Sequence, residues 1–188
     1  MLFAGSLHAE AQDLKSILSG IAKTVVGDKA TTQSSILGTW TYTAPACQFE
    51  SESLLTKAGG EVAAGKVEEK LSNLYNKFGL SNVQFTFNAD STYTYTVRGK
   101  KLNGRYTFNT EEKTIKMTTS LRFSFTAHVV TTGSSMSLLF NADKLMSILK
   151  TMTSAASTLN KNASTINSIA NMYDGMLLGF ELEKHSEK

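Results

Sequence analysis

Side chains that can perform acid-base or metal chemistry are sparse in this chain of 188 residues. Of its three histidines, His8 and His185 lie close to the two ends of the sequence, and His128 is isolated in the middle, where we expect it at the surface. Zinc sites usually take three or four nitrogen or sulfur ligands. The Gly-x-Ser-x-Gly motif of many serine hydrolases is missing. The sequence therefore predicts no metal site and no catalytic residues, and it favours a protein that is not an enzyme.

The other reactive side chains have structural interpretations. Cys47 is the sole cysteine, so no intramolecular disulfide can form, and its apolar surroundings are typical of a buried thiol. Glu50 and Glu52 lie at the start of an expected helix, where carboxylates stabilise the positive end of the helix dipole. The glycine-rich stretches lack the Lys-Ser/Thr ending of a phosphate-binding loop. We therefore expect no cofactor.

Composition and charge describe one folded domain. Hydrophobic residues make up 41% of the chain and charged residues 19%, with a net charge of +3, and a chain of this length can bury a sizeable core without disulfides. The basic residues are scattered and are densest at Lys100-Lys101, whereas a nucleic-acid-binding protein more often shows a basic stripe interleaved with aromatic side chains. No apolar run approaches the roughly 18 to 20 residues of a membrane span. We expect neither a nucleic-acid partner nor a transmembrane segment.

The N-terminal residues have the character of a secretory signal peptide. Met1 to Leu7 is a mostly apolar stretch, and Ala9-Glu10-Ala11 forms an A-x-A box before Gln12. We expect residues 1–11 to be the remnant of a signal peptide that is cleaved after Ala11, and the protein to be exported to the periplasm or secreted. The alternative is that these residues form an irregular turn of an N-terminal helix.

Three segments show the 3.6-residue period of amphipathic helices. The first spans 13–26 and is followed by a polar linker that reaches residue 35. The second spans 51–78, where Gly59-Gly60 costs about 2 kcal/mol of helix propensity and predicts a kink or close packing. The third spans 142–173, with Asn141 as a suitable N-cap.

From residue 82 the period of the apolar side chains changes from helical to two. Six short segments alternate apolar and polar residues and are joined by short turns, which predicts an antiparallel meander with one buried face. One further strand is expected over 36–43, ended by Pro45, and a last strand over 176–182. The sequence therefore predicts a mainly β protein with added helices, of the α+β class.

Several motifs resemble a known group of proteins. Gly38-Thr39-Trp40 in the first strand, followed by the meander, resembles the lipocalin and calycin group. Together with the segments at 37–42, 45–52, 55–60 and 87–93, this is similar to a family of exported lipocalin-like domains of unknown function from gut Bacteroidetes.

The resemblance implies an antiparallel up-and-down barrel of about eight strands over residues 36–183. The helical periodicity adds a helix and linker over 12–35 and long helices inserted after the first strand and before the last one, and a charged tail follows over 184–188. Gly38 and Trp40 would form the structural plug of the barrel. Ordinary lipocalins lack the two inserted helices, so the closure of the barrel and the access to its interior stay open. The family offers no activity to carry over.

The alternation predicts that aromatic side chains converge on the barrel interior. They are Trp40, Tyr42, Phe85, Phe87, Tyr93, Tyr95, Tyr106, Phe108, Phe123, Phe125, Phe140 and Phe180. Four of these are tyrosines on the meander or first strand, and each buried hydroxyl requires a partner. This favours a site for a small hydrophobic ligand, formed by Tyr42, Phe85, Tyr93, Tyr95, Tyr106, Phe123 and Phe125. The alternative is an interior filled by its own side chains, with the helices as the surface for a protein partner.

Overall fold

The computed structural model describes residues 31–49, 61–120, 122–153 and 176–185, with the backbone alone at 61–64 and 150–153. Two helices are described, α1 (Glu61–Phe78) and α2 (Ala142–Thr153). The strands are β1 (Gly38–Phe49), β2 (Gln84–Phe87), β3 (Thr92–Val97), β4 (Lys100–Asn109), β5 (Thr114–Thr119), β6 (Ser124–Thr132), β7 (Ser135–Asn141) and β8 (Met176–Lys184).

The eight strands form a closed barrel in sequence order. Every strand pairs antiparallel with its neighbours in the chain, and β8 pairs with both β7 and β1. The predicted antiparallel up-and-down barrel is therefore confirmed, and it closes despite the inserted helices. The physical reason is the period of two in the meander, which gives each strand one apolar face that must be covered.

Strand β1 continues past Pro45, which the sequence predicted to end it. Pro45 pairs with Phe180 of β8, and a β-bulge lies just before it, between Tyr42 and Ala44. The pairing of β1 with β2 ends at Thr41, and one further hydrogen bond joins the Tyr42 amide to the Val83 carbonyl at 3.0 Å. Beyond Tyr42, β1 is therefore bonded along one edge only. Proline is tolerated at such edges and next to bulges because no ladder hydrogen bond is lost there.

Helix α1 ends in a glycine-dependent cap. Gly79 adopts a φ of +68°. The Leu80 and Gly79 amides donate to the carbonyls of Tyr75 (2.8 Å) and Asn76 (3.2 Å), which is the Schellman pattern. Arg98, in the turn between β3 and β4, completes the cap by donating from Nε to the Phe78 carbonyl at 2.8 Å. The end of the helix is thus tied to a barrel turn.

Helix α2 begins directly after β7. The Asp143 amide donates to Asn141 Oδ1 at 3.1 Å, which is the N-cap contact expected from the sequence. The described helices lie inside the predicted ranges 51–78 and 142–173. The rest of those ranges, the predicted helix over 13–26 and the signal remnant over 1–11 lie outside the described residues. Within the described part, no helix is long and apolar enough to span a bilayer.

The antiparallel order gives the barrel two distinct ends. One, here called the base, carries residues 31–37 and the β2–β3, β4–β5 and β6–β7 turns; the other, called the helix-side end, carries α1, α2 and the β3–β4 and β5–β6 turns. At the base, Trp40 is fully buried and its Nε1 donates to the Ile36 carbonyl at 2.9 Å. Gly38 has a φ of +110°, which favours glycine, and Lys184 Nζ lies 5.3 Å from the centre of the Trp40 ring.

Both helices contribute to the barrel core. The buried face of α1 joins the same apolar cluster as the barrel strands, with the spacing expected of a helix, through Val67, Leu71, Leu74, Tyr75 and Phe78. Leu145, Met146 and Leu149 of α2 belong to it as well. Helix α1 packs against β1, where that strand extends beyond its pairing with β2.

Candidate functional site

The barrel interior is uncharged throughout the described part of the chain. The buried polar residues of the described chain are Thr31, Thr114 and Thr131, and no charged side chain is buried there. Alternation along each strand explains this, because charged residues such as Lys116 and Glu183 fall on the outward face and are exposed. The described interior therefore has no fixed charge to hold an ion.

Four aromatic rings on β2 and β3 form a stacked group inside the barrel. Phe85 lies 6.1 Å from Tyr95 and Phe87 lies 6.1 Å from Tyr93, measured between ring centres. Along each strand the separations are 6.2 Å for the phenylalanines and 6.0 Å for the tyrosines. Direct cross-strand pairs bring these side chains together, since Phe85 is opposite Tyr95 and Phe87 is opposite Tyr93.

Gly104 leaves the space that the Tyr93 ring occupies. It is the residue of β4 directly opposite Tyr93. A Cβ placed on Gly104 would lie 2.6 Å from Cε1 of Tyr93 and would also contact the Thr118 carbonyl. The ring is therefore fixed between its stacked neighbours and the bare backbone of β4.

The buried tyrosines differ in how their hydroxyls are satisfied. Tyr75 Oη donates to the Gly179 carbonyl at 3.0 Å, and Tyr106 Oη donates to the Asn88 carbonyl at 2.7 Å. Tyr93 is 0% exposed, and its Oη is the one buried side-chain polar atom of the described residues that lacks a hydrogen-bond partner. Burial, with a smaller effect of Tyr95, raises the pKa of the Tyr93 phenol, so the group stays protonated at neutral pH and can donate.

The helix-side end exposes apolar side chains that continue the interior surface. Leu102 is 40% exposed and Phe123 is 56% exposed, and these are the exposed large hydrophobic residues of the described chain. Leu102 lies opposite Tyr95 in the β3–β4 pair, and Tyr95, Val97 and Phe125 are partly buried against the core. The Ser120 amide donates to the Asn103 carbonyl at 3.2 Å, which brings the β5–β6 turn beside β4. We call Tyr95, Val97, Leu102, Phe123 and Phe125 the apolar rim.

The structure brings most of the predicted ligand site together, with one correction. Tyr42, Phe85, Tyr93, Tyr95, Tyr106 and Phe125 all belong to the core or pack against it. Phe123 does not lie in the interior as predicted, because β6 begins at Ser124 and Phe123 belongs to the preceding turn. In that turn Arg122 has a φ of +66° and the Thr119 amide donates to the Phe123 carbonyl at 2.8 Å.

Sequence patterns did not identify two interior residues as part of the site. Tyr75 lies on the apolar face of α1, and the centre of its ring is 5.0 Å from that of Phe180. Gly104 lies inside β4, which begins at Lys100, and its lack of a side chain gives no apolar signal. The available signal was that Gly104 shares its alternation phase with Tyr106, which places it on the inward face.

Polar and reactive residues do not form a second centre in the described part of the chain. Burial first, and Glu68 second, raises the pKa of the Cys47 thiol to about 12, which makes it a poor nucleophile at neutral pH. His128 is exposed beside a surface depression of about 130 Å³ that Glu112 and Lys113 also line. No group of three or more His, Cys, Asp or Glu residues could hold a metal ion there or elsewhere in the described ranges.

Comparison with known families identifies the fold. Residues 12–184 match the family described as "Lipocalin-like domain (DUF4923)". The chain belongs to this family. A lipocalin-like domain is consistent with the closed eight-stranded barrel and with the Gly38-Thr39-Trp40 motif at its base.

A solved structure of another family is similar at a lower level. A DUF4847 family protein from Bacteroides vulgatus shares 9% sequence identity with this lipocalin-like domain, with a TM-score of 0.38, and the match covers 81% of this chain and 96% of that one. No curated protein sequence matches the chain significantly.

Proposed function

We propose that this lipocalin-like protein binds a small hydrophobic molecule in its barrel, and that the molecule enters at the helix-side end. The observation that carries the proposal is the apolar rim. Scattered single hydrophobic residues are normal on protein surfaces. Here Leu102 and Phe123 are exposed at the same end of the barrel. Leu102 is paired with the partly buried Tyr95, and Phe123 lies two residues before the partly buried Phe125. Contiguous exposed apolar surface of this kind marks binding grooves.

The chemistry of the interior supports an apolar ligand. Its described side chains carry no charge, and burial of an ionised group without a partner is strongly unfavourable. We propose that the protein acts as a carrier or receptor for such a molecule and not as an enzyme. We also propose that it is exported, on the basis of the apolar start and the A-x-A box at Ala9 to Ala11. N-terminal sequencing of the protein from its native host tests the export, with Gln12 as the expected first residue.

The binding itself is tested with protein purified from its own host and analysed by native mass spectrometry. We expect a co-purifying apolar molecule that is released on unfolding. A second assay titrates delipidated protein with an environment-sensitive apolar fluorophore. Phe123→Glu places a charge in the apolar rim and should weaken binding about tenfold or more, since a mismatch of about 1.4 kcal/mol suffices.

Thr126→Glu is the matched control for that substitution. Thr126 lies on the exposed outward face of β6. The substitution therefore adds the same charge away from the apolar rim and should leave the affinity unchanged. Equal effects of the two substitutions, or an absence of any fluorophore binding to the folded wild type, would contradict the proposal.

A second candidate function is a protein-interaction domain with a filled interior. The ring contacts favour it, because they run without a break from Tyr106 through Phe87, Phe85 and Phe180 to Phe140, at 5.4 to 6.3 Å. Small eight-stranded barrels can be filled by their own side chains. In that case the delipidated protein binds no apolar fluorophore, and the apolar rim is the partner surface.

A further inference from the structure

We infer that the ligand of this barrel carries a neutral hydrogen-bond acceptor, such as a ketone, ester or ether oxygen, and that the Tyr93 hydroxyl donates to it. The inference rests on the proposed function and narrows the class of ligand. It assigns to Tyr93 the role of a specificity-determining residue inside an otherwise apolar site.

Tyr93 differs from the other fully buried tyrosines in one respect. Tyr75 and Tyr106 each donate to a backbone carbonyl, whereas Tyr93 Oη has no partner among the described residues. A buried hydroxyl without a partner costs about 1 to 3 kcal/mol. The ring cannot easily turn to find one, because it is stacked between Phe87 and Tyr95 and lies over Gly104. A bound acceptor atom would remove this cost.

The location of Tyr93 fits a ligand that enters past the apolar rim. Tyr95 and Leu102 form a cross-strand pair, and Tyr93 with Gly104 form the next inward-facing pair toward the base. Two residues along a strand correspond to about 7 Å. The acceptor would therefore lie roughly one layer of side chains below the rim, with apolar parts of the ligand on the side toward solvent.

The surroundings of Tyr93 favour a neutral acceptor over a carboxylate. No Lys, Arg or His of the described residues is buried where it could pair with an anion, and an unpaired buried anion is far more costly than a buried neutral oxygen. The phenol itself remains protonated and uncharged, as its raised pKa indicates. An ionised head group would instead stay in solvent near Lys100, Lys101 and Arg122, which are exposed at the helix-side end.

The test compares three probes of one chain length on delipidated protein: methyl heptyl ketone, nonane and nonanoate. Each is titrated against the bound apolar fluorophore. We expect wild-type protein to bind the ketone about five- to tenfold more tightly than the alkane, as one hydrogen bond allows. Tyr93→Phe should remove this margin and leave the affinity for nonane unchanged. The infrared carbonyl band of the bound ketone should shift to lower frequency in wild type and return in Tyr93→Phe.

Thr126→Val is the control, because it removes a hydroxyl from the exposed outward face of β6, away from the site; the preference for the ketone should persist in it. Equal binding of ketone and alkane by wild type, or an unchanged ketone margin in Tyr93→Phe, would overturn the inference while the proposed function stands. Tighter binding of nonanoate that is insensitive to Tyr93→Phe would also overturn it and would place the polar group at the rim. Failure of all three probes to bind the folded protein would refute the proposed function itself.

Discussion

Replacement of Tyr93 by phenylalanine should stabilise the ligand-free protein, although it removes a polar group from the core. The hydroxyl is fully buried and makes no hydrogen bond within the described residues, so its desolvation cost of about 1 to 3 kcal/mol is not recovered. The vacated volume of roughly 15 Å³ offsets about 0.4 kcal/mol of this gain, at ~24 cal/mol per Å³. The ring keeps its contacts with Phe87 and Tyr95. We expect a net increase of about 1 kcal/mol in the free energy of unfolding.

The measurement is urea denaturation of delipidated protein, followed by the fluorescence of Trp40. Trp40 is the sole tryptophan and is fully buried, so its emission should report global unfolding. A gain of 1 kcal/mol corresponds to a rise in Tm of about 2 to 4 °C for a domain of this size. The same change at Tyr75, whose hydroxyl donates to the buried Gly179 carbonyl, should instead cost about 1 to 2 kcal/mol.

The opposite signs of these two substitutions are what the reasoning requires. If Tyr93→Phe loses as much stability as Tyr75→Phe, the Tyr93 hydroxyl has a hydrogen-bond partner in the protein. Its proposed role in binding a ligand acceptor is then refuted. The comparison holds if the variants share the wild-type m value, the slope of the free energy of unfolding against urea concentration, because this slope reflects the surface exposed on unfolding.

Three further predictions concern the base, the inner wall and the thiol. Trp40→Ala should cost about 3 to 5 kcal/mol in denaturation experiments, and a loss below about 1 kcal/mol would show that Trp40 does not close the base. Gly104→Ala should destabilise the barrel by more than about 2 kcal/mol, because its Cβ would overlap the Tyr93 ring. Gly65→Ala, on an exposed turn of α1 with nothing within 4 Å of the new Cβ, should instead stabilise the protein by about 0.5 to 1 kcal/mol. Similar shifts in Tm for the two variants would contradict this prediction. The pKa of the Cys47 thiol is raised from 9.0 to about 12 in the folded protein, so its contribution to stability is complete below pH 9 and is lost as the pH rises toward 12. Alkylation of the thiol at pH 8 should therefore be much slower in native than in unfolded protein. Equal rates would show that the native protein exposes a thiolate.

The barrel was predictable because the sequence patterns that indicate it are local. Alternation in the segments from Val83 to Phe140 determines which face of each strand is buried, and short turns make consecutive strands antiparallel. The extension of β1 beyond Pro45 was not predictable, since it depends on the partner available at a distance. Strand β8 pairs along this half of β1 while β2 does not, and only that arrangement makes a proline acceptable.

The candidate site was predictable in composition but not in detail. Alternation placed four tyrosines in the interior, but it contains no information on which hydroxyl meets a carbonyl. Tyr106 finds one because the β2–β3 turn presents Asn88 beside it, and Tyr93 does not. The position of Phe123 was missed for a related reason, because alternation does not indicate where a strand begins, and a turn with Arg122 at positive φ precedes β6.

The pairing of β1 with a short β2 has a mechanical consequence. Beyond Tyr42, the element that packs against β1 on that side is α1. Side-chain packing holds this helix, together with hydrogen bonds from Tyr75 to the Gly179 carbonyl and from Arg98 to the Phe78 carbonyl. Elsewhere the wall is a continuous ladder of backbone hydrogen bonds, which resists stretching. Loss of the α1 contacts would therefore uncover the interior along this part of β1 without breaking any pair of strands.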